Sequence, residues 1–538
     1  MKRIAALAGA LVLAVVGSAC SGGSGAGSSA DTEKPLVVSF ATFDAESALS
    51  WMVKATDQAL YSPLFDGLVI TDPTTRELKP GLATSWESSA GGATWTVHLR
   101  KGVPFDDPQY GDVTSRDVAY QIDRMRGKGA AGSDAPYFSK ATTETPDPLT
   151  VVIKFPSPTW ELPYHLTADA GYLNIQPEAY IAKVGDQTAA SQPIGSGPYK
   201  QVSYSPGVEH AYEAVPNHWR VHPEFKRMTI KAIADPTAQL NGIRAGAIDI
   251  ATVSGDLMKQ AQSGGLHLKT VQDSTGDFMA LPGMARPGSA SYDPSLPWVG
   301  DDKDPQSAAR ALKVREALNL AVNKKAILDG LWNGAGNLKT FDYNYFPFQA
   351  GYKDSWTLPK YDPDAAKKLL AEAGYPNGFT FKVASTAISS APDGPDITAA
   401  IAQDLGRVGI KVDSTDVAYA SLAPKFLDRT LDRAWVYGSF VRPEPSMIWS
   451  IISSTKGAGA ILVERPQFDT QLEAIRSEMD AGKRAQLTSQ LGQSLYDYKP
   501  AIMLGMKAVT WALSDRVGSW PALVGVSPTN LELVTAAK

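Results

Sequence analysis

Residues 361–412 read YDPDAAKKLLAEAGYPNGFTFKVASTAISSAPDGPDITAAIAQDLGRVGIKV, and the fold class is decided here. Asp362 stands where a side-chain oxygen caps a helix. Pro363 suits the first helical position, because an N–H there has no intrahelical partner to lose. Leu369, Leu370 and Ala373 fall on one apolar face, and Gly374 with Pro376 stops the helix. Phe379 to Val383 then reads as a strand, about Asp396 to Arg407 as a helix carrying Ile401 and Leu405, and Ile410-Lys411-Val412 as a second strand. Strand, crossover helix and strand predict a parallel βαβ unit of right-handed connection.

The same alternation continues outward. Leu36 to Phe40 reads as a buried strand, Thr94 to Arg100 as a half-exposed one, and Val151 to Phe155 as another. Helices are expected at Ala308–Ala321, at Lys324–Trp332 behind an Asn323 cap, at Phe468–Met479 and at Arg484–Tyr496. Alternating strands and helices specify an α/β architecture. The chain beyond its first residues is far longer than the ~250–300 residues at which one core stops growing, so more than one domain is expected.

The N-terminus has the layout of an export signal. Lys2 and Arg3 are basic, Ile4 to Val16 is uncharged and mostly apolar, and Gly17-Ser18-Ala19 leads into Cys20. Ordinary signal cleavage and lipoprotein processing would cut at the same bond. Cys20 is the only cysteine, and an odd thiol in an oxidising compartment is a hazard unless it is used. A new N-terminal cysteine followed by the flexible stretch Ser21 to Ala30 fits a lipid anchor with a spacer. Residues 1–19 are thus expected to be a signal peptide and 20–34 a lipidated cysteine and spacer, placing the protein outside the cytoplasmic membrane. A single acyl chain holds weakly, so lasting attachment needs more than one. Net charge is −5 with 20% charged residues, which gives no electrostatic footprint for nucleic acid. Twelve Trp and twenty Tyr supply core aromatics with a surplus for a ligand cleft.

Several segments resemble the extracytoplasmic solute-binding proteins of family 5, the oligopeptide, dipeptide and nickel binders of ABC importers. These are Leu64-Phe65-Asp66-Gly67-Leu68-Val69, Pro80-Gly81-Leu82-Ala83-Thr84-Ser85-Trp86-Glu87, Leu99 to Phe105 with Asp117-Val118, Gly195-Ser196-Gly197-Pro198-Tyr199, Asn241 to Asp249, Val314 to Lys324, and Tyr361 to Pro376. They occur in the family's order and read as packing and turn residues rather than ligand contacts. The resemblance implies a two-lobed, periplasmic-binding-protein-like fold (type II, cluster C-like) with an extra inserted domain. Lobe I would use residues 35–70, 171–280 and 508–538, the inserted domain 71–170, and lobe II 281–507. It also implies a monomer that captures a small molecule or short peptide by hinge closure and presents it to the permease subunits of an ABC transporter.

The opposing class, an exported hydrolase, finds no support in the motifs. H-E-x-x-H and G-x-S-x-G are missing, and the six histidines are scattered. His218 and His222 have helical spacing, but Pro216 and Pro223 point to a loop, so no metal site is expected. Ser453-Ser454-Thr455-Lys456 spells S-x-x-K without its partner motifs. No catalytic residue and no cofactor is expected.

In peptide-binding relatives an Asp in a W-x-x-D-x-x-D-P segment meets the ligand's ammonium. The matching stretch here is Tyr437 to Pro445; anchored on Glu444-Pro445, it puts Val441 at the Asp position, followed by Arg442. A peptide with a blocked or differently bound N-terminus, an acidic ligand held by the Arg442 guanidinium, a chelated nickel ion and an oligosaccharide all stay open. Arg442 has a second reading, as a surface residue paired with Glu444. Tyr437, Phe440 and Trp449 are candidates for the same cleft wall, each with packing as its alternative. Phe43 and Asp44 follow the first strand, where α/β sheets present ligand contacts. Tyr343 and Tyr345 are further candidates from the loop after Gly336.

Overall fold

The protein is described by a computed structural model covering residues 31–43, 46–168, 173–340, 343–388, 391–457, 459–522 and 530–538. Cys20 and Asp44 lie outside the described residues. The βαβ stretch forms as its caps dictate. Asp362 accepts a hydrogen bond from the Ala365 N–H at 2.9 Å, the helix runs Pro363–Glu372, and Gly374 turns the chain at φ +94°. Strands Thr380–Ser385 and Lys411–Asp416 pair in parallel on either side of the helix Gly394–Gly406.

These strands form one end of an 11-stranded mixed sheet. Its order is 411–416, 380–385, 434–440, 267–280, 501–513, 250–253, 36–40, 227–232, 209–214 and 199–205, with Gly336–Asn337 beside 501–513. Two long antiparallel strands, His267–Ala280 and Ala501–Leu513, run through both halves. Their register shifts between Val271 and Thr275. Ser274 holds this bulge: its hydroxyl donates to the Val271 carbonyl at 2.7 Å and accepts from the Val509 N–H at 3.3 Å. A separate four-stranded antiparallel sheet is formed by 83–89, 94–99, 150–154 and 142–147. Along Thr94–Leu99 the buried residues alternate, as the sequence predicts.

Buried apolar residues divide between the halves. The largest cluster extends from Phe278 to Met506, a second from Leu49 to Ala189 around the four-stranded sheet, and a third joins residues 36–65 to 199–250 and the C-terminal segment. Among the described residues no helix is long and apolar enough to cross a membrane.

The motif Gly195-Ser196-Gly197 is an example of glycine set by close approach. A Cβ on Gly195 would lie 1.9 Å from the Leu64 carbonyl oxygen, and one on Gly197 2.6 Å from Phe65 N. The two motifs are thereby pressed together, and Asp66 ties them to the loop that follows. It is wholly buried and accepts from Trp219 Nε1 at 2.7 Å and from the Arg220 guanidinium at 2.8 and 3.0 Å, and His218 Nε2 lies at 3.0 Å. His218 Nδ1 accepts from the Val221 N–H at 3.2 Å, which leaves Nε2 as the donor to Asp66 and to the Ser196 carbonyl. His218 thus lies in a loop as a structural residue. Burial works against the Asp66 charge, but the His218 hydrogen bond and the Arg220 guanidinium outweigh it and hold the carboxyl below the usual range.

Removing this carboxylate leaves a buried guanidinium short of its partner. Asp66→Asn is expected to cost about 3–5 kcal/mol in denaturant unfolding at pH 7. Because the folded pKa is depressed, the wild-type advantage is present above the unfolded value and lost as pH falls through the folded one. Acid titration of the melting temperature should therefore bring wild type and variant together only below about pH 4.

Candidate functional site

The strand register locates the cleft. In one half, 36–40, 227–232 and 250–253 run parallel, and Val253 at the carboxyl end of its strand pairs with Thr510. In the other half, 380–385 and 434–440 run parallel, and Phe440 at the carboxyl end pairs with Thr275. Thr275 and Thr510 flank the Val271/Thr275 bulge, so both sets of parallel strands aim their carboxyl ends at the same hinge. Open α/β sheets bind ligands at that end.

The sheet's two faces differ there. Successive side chains alternate, so Trp435, Tyr437 and Ser439 share one face with Phe278. The Tyr437 and Phe278 rings lie 5.5 Å apart, and Tyr343 meets Phe278 edge-on at 6.0 Å. Tyr437 is half-buried; burial pushes its phenol up to about 12, with Arg442 opposing. Tyr343 and Asn344 both take left-handed backbone, at φ +56° and +92°, which is costly in consecutive non-glycine residues. Asn344 is wholly buried. Its Oδ1 accepts from the Ser439 hydroxyl at 2.9 Å, and its Nδ2 is without a hydrogen-bond partner among the described residues. The turn is pinned from behind by Trp449 Nε1, which donates to the Tyr343 carbonyl at 2.6 Å.

Tyr437, Phe440 and Arg442 are thus brought to one strand end, with Phe440 and Arg442 half-buried. Tyr343 is buried beside them. Tyr345 and Trp449 are wholly buried, with their rings 5.6 Å apart and Trp356 5.4 Å from Tyr345, so they pack the interior behind the wall. The expected Arg442–Glu444 pairing is not the ion pair formed by Glu444, whose Oε1 lies 3.8 Å from Arg484 Nε. Val441 is buried at the position considered for an Asp.

Across the hinge, Phe43 is half-buried and meets His210 edge-on at 5.4 Å. His210 Nε2 lies 3.2 Å from Glu46, whose carboxylate also accepts from the Gly207 N–H. Burial pulls the His210 imidazole down and Glu46 opposes it. Asn344, Glu46 and His210 were not signalled by any motif; their roles come from turns and strand pairings distant in sequence.

Ser453 is wholly buried with its hydroxyl unpartnered among the described residues, whereas Lys456 is exposed and paired with Glu473, so the S-x-x-K residues do not act together. No group of three or more metal-ligating side chains occurs among the described residues.

Comparison with known proteins agrees with this geometry. Residues 77–459 match the family described as bacterial extracellular solute-binding proteins, family 5. Heme-binding protein A of Haemophilus influenzae is 27% identical over 483 residues, covering 84% of this chain and 83% of that one. The dipeptide-binding protein of Escherichia coli is 24% identical over 480 residues, covering 83% and 84%. Among solved structures, the dipeptide-binding protein from Pseudoalteromonas in complex with Met-Leu superposes with a TM-score of 0.75 at 19% identity, over 94% of this chain and 100% of that one. The two-lobed α/β architecture of these binding proteins is therefore also that of this chain, and with most of its length matched, the chain belongs to the bacterial extracellular solute-binding proteins of family 5.

Proposed function

We propose that this protein is the extracytoplasmic capture subunit of an ABC importer, which closes on a peptide or peptide-like solute and delivers it to the membrane permease. The observation that carries the reading is the convergence of both sets of strand ends on a hinge made by two continuous strands. Relatives named for dipeptide binding support the peptide class. In this reading lobe I is built from 35–70, 171–280 and 508–538, an inserted domain from 71–170 and lobe II from 281–507. The protein binds without turnover, as a monomer tethered through a lipidated Cys20. A non-peptide solute is the second reading, favoured by Val441 at the ammonium-binding position.

Native mass spectrometry of protein from its own host tests the solute class. A retained peptide is the expected result, and a retained sugar or chelate would replace it. Alkyne-fatty-acid labelling that disappears in Cys20→Ser is expected for the anchor.

In this reading the contacts between residues 71–170 and 281–507 belong to the closed arrangement. Trp160 is buried against lobe II, with Nε1 donating to the Ile475 carbonyl at 3.1 Å and the Arg484 guanidinium 4.2 Å over its ring. Arg76 lies 4.7 Å over Phe348, and Arg476 lies 3.7 Å from Glu161. These contacts stabilise closure without touching solute, and a ligand's apparent affinity falls with the population able to close. Trp160→Ala is expected to weaken solute binding by roughly 10- to 30-fold, as for a buried aromatic anchor at an interface. Small-angle scattering should show the variant more open at the same solute concentration.

Arg442→Ala is expected to lower affinity for the retained solute by about 10- to 100-fold, the range for a lost charged hydrogen bond, with a melting temperature close to wild type. Loss of stability without a specific loss of affinity would assign Arg442 to packing.

A further inference from the structure

The face of the sheet opposite Asn344 carries a polar group that no feature of the fold accounts for. Asp277 is wholly buried; the Thr275 hydroxyl two residues back on its own strand pulls on its carboxyl, but no well-formed hydrogen bond reaches either oxygen among the described residues. Its neighbours in register are Gly438 on one side and Gly505 on the other, so no side chain flanks it along the sheet. Three more buried atoms are likewise unpartnered: Thr275 Oγ1 on the same strand, Thr386 Oγ1 just beyond the carboxyl end of 380–385, and Asp393 Oδ1 before the 394–406 helix.

The cation that acts on Asp277 among the described residues is already engaged. Lys507, opposite Thr275 in register, donates to Asp393 Oδ2 at 2.6 Å, and Trp332 Nε1 donates to the same oxygen at 3.0 Å. Two carboxylates therefore face one ammonium, and every unpartnered atom is an acceptor or a hydroxyl able to accept. Unpaired buried acceptors are costly, and such a set is retained where something else supplies the donors. It lies near the carboxyl ends of the strands beside the hinge, the end at which open α/β sheets bind ligands.

We propose that this buried cluster is the subsite for a positively charged group of the captured solute, a primary ammonium or a guanidinium, with Asp277 as its carboxylate partner. The assignment rests on the capture reading and specifies what the solute carries; it gives the chain an ammonium partner although Val441 occupies the expected position. Thr386 Oγ1 and Asp393 Oδ1 accept the remaining N–H groups of an ammonium, and Thr275 Oγ1 is the further acceptor for a guanidinium. Burial pushes the Asp277 carboxyl up to about 7, against the pull of Lys507 and of the Thr275 hydroxyl and with Asp393 adding to the rise. The arriving cation thus favours loss of the Asp277 proton to solvent, and affinity rises with pH through the Asp277 range until the solute's own amine, at about 8 for an α-ammonium, begins to lose its proton.

The test uses calorimetric titration of the full chain with Met-Leu, Lys-Leu and their fully acetylated forms, and thermal melts in n-butylammonium chloride against sodium chloride of equal concentration. Wild type is expected to prefer amine-bearing peptides over acetylated ones by at least tenfold and to release a proton on binding. Butylammonium is expected to raise its melting temperature over the sodium control. Asp277→Asn, which keeps the side chain's shape, is expected to lose all three effects, and Thr386→Val to weaken the preference. If peptides bind wild type and Asp277→Asn equally, the subsite is overturned while peptide capture stands. If no peptide binds but butylammonium stabilises wild type alone, peptide capture fails and the subsite stands. An absence of both responses overturns the subsite. Should Asp277→Asn not fold, an unchanged preference in Thr386→Val overturns it.

Discussion

The antiparallel pairing of His267–Ala280 with Ala501–Leu513 is the constraint on which the molecule depends. Each strand takes part in both halves of the large sheet, and all other strands are added outward from this pair. A continuous hydrogen-bonded ladder would lock the halves together. The register break between Val271 and Thr275 interrupts it, and Ser274 supplies the bonds that the bulged backbone cannot make with its neighbour. The junction is therefore satisfied in its hydrogen bonds although the ladder is interrupted over Gln272–Ser274, and that local break is where the two halves can bend.

Much of the fold was legible because its signals are local. The Asp362 cap, the Pro363 start and the Gly374 stop act within a few residues of each other, and the helix forms between them as read. The Asn323 cap and the strand Leu36–Phe40 are legible for the same reason. The glycine motifs were legible as packing residues, and the contact of Gly195 and Gly197 with residues 64–65 supplies the cause. Boundaries moved where tertiary pairing extended an element, as in Lys411–Asp416, which follows its neighbour 380–385 along its full length.

The candidate site was less legible, because its residues meet through long-range register. Tyr345 and Trp449 look in sequence like the exposed aromatics of a cleft, but the turn at 343–344 directs them inward. Asp277 looks like an ordinary polar residue of a half-exposed strand until two glycines are found beside it on partners more than a hundred residues away. Asp393 and Lys507 likewise become a pair only through the sheet. Charge composition contains no trace of such a cluster, since one buried aspartate in 538 residues leaves net charge almost unchanged.

The two faces of the sheet end, taken together, show how recognition and motion share one place. Among the described residues Asn344 has an unpartnered donor on one face, and Asp277 on the other has carboxylate oxygens that no well-formed hydrogen bond reaches, with Gly276 and Gly438 leaving the strands between them bare. Both are held by backbone that is itself under constraint, the left-handed 343–344 turn and the strand beside the bulge. Unpaired polar groups would destabilise a rigid core without return. Beside a hinge they reduce the stability of the unliganded arrangement and leave a ligand's hydrogen bonds to restore it. A solute that satisfies them gains more in the closed state than in the open one, and this difference is the only means by which binding can drive closure.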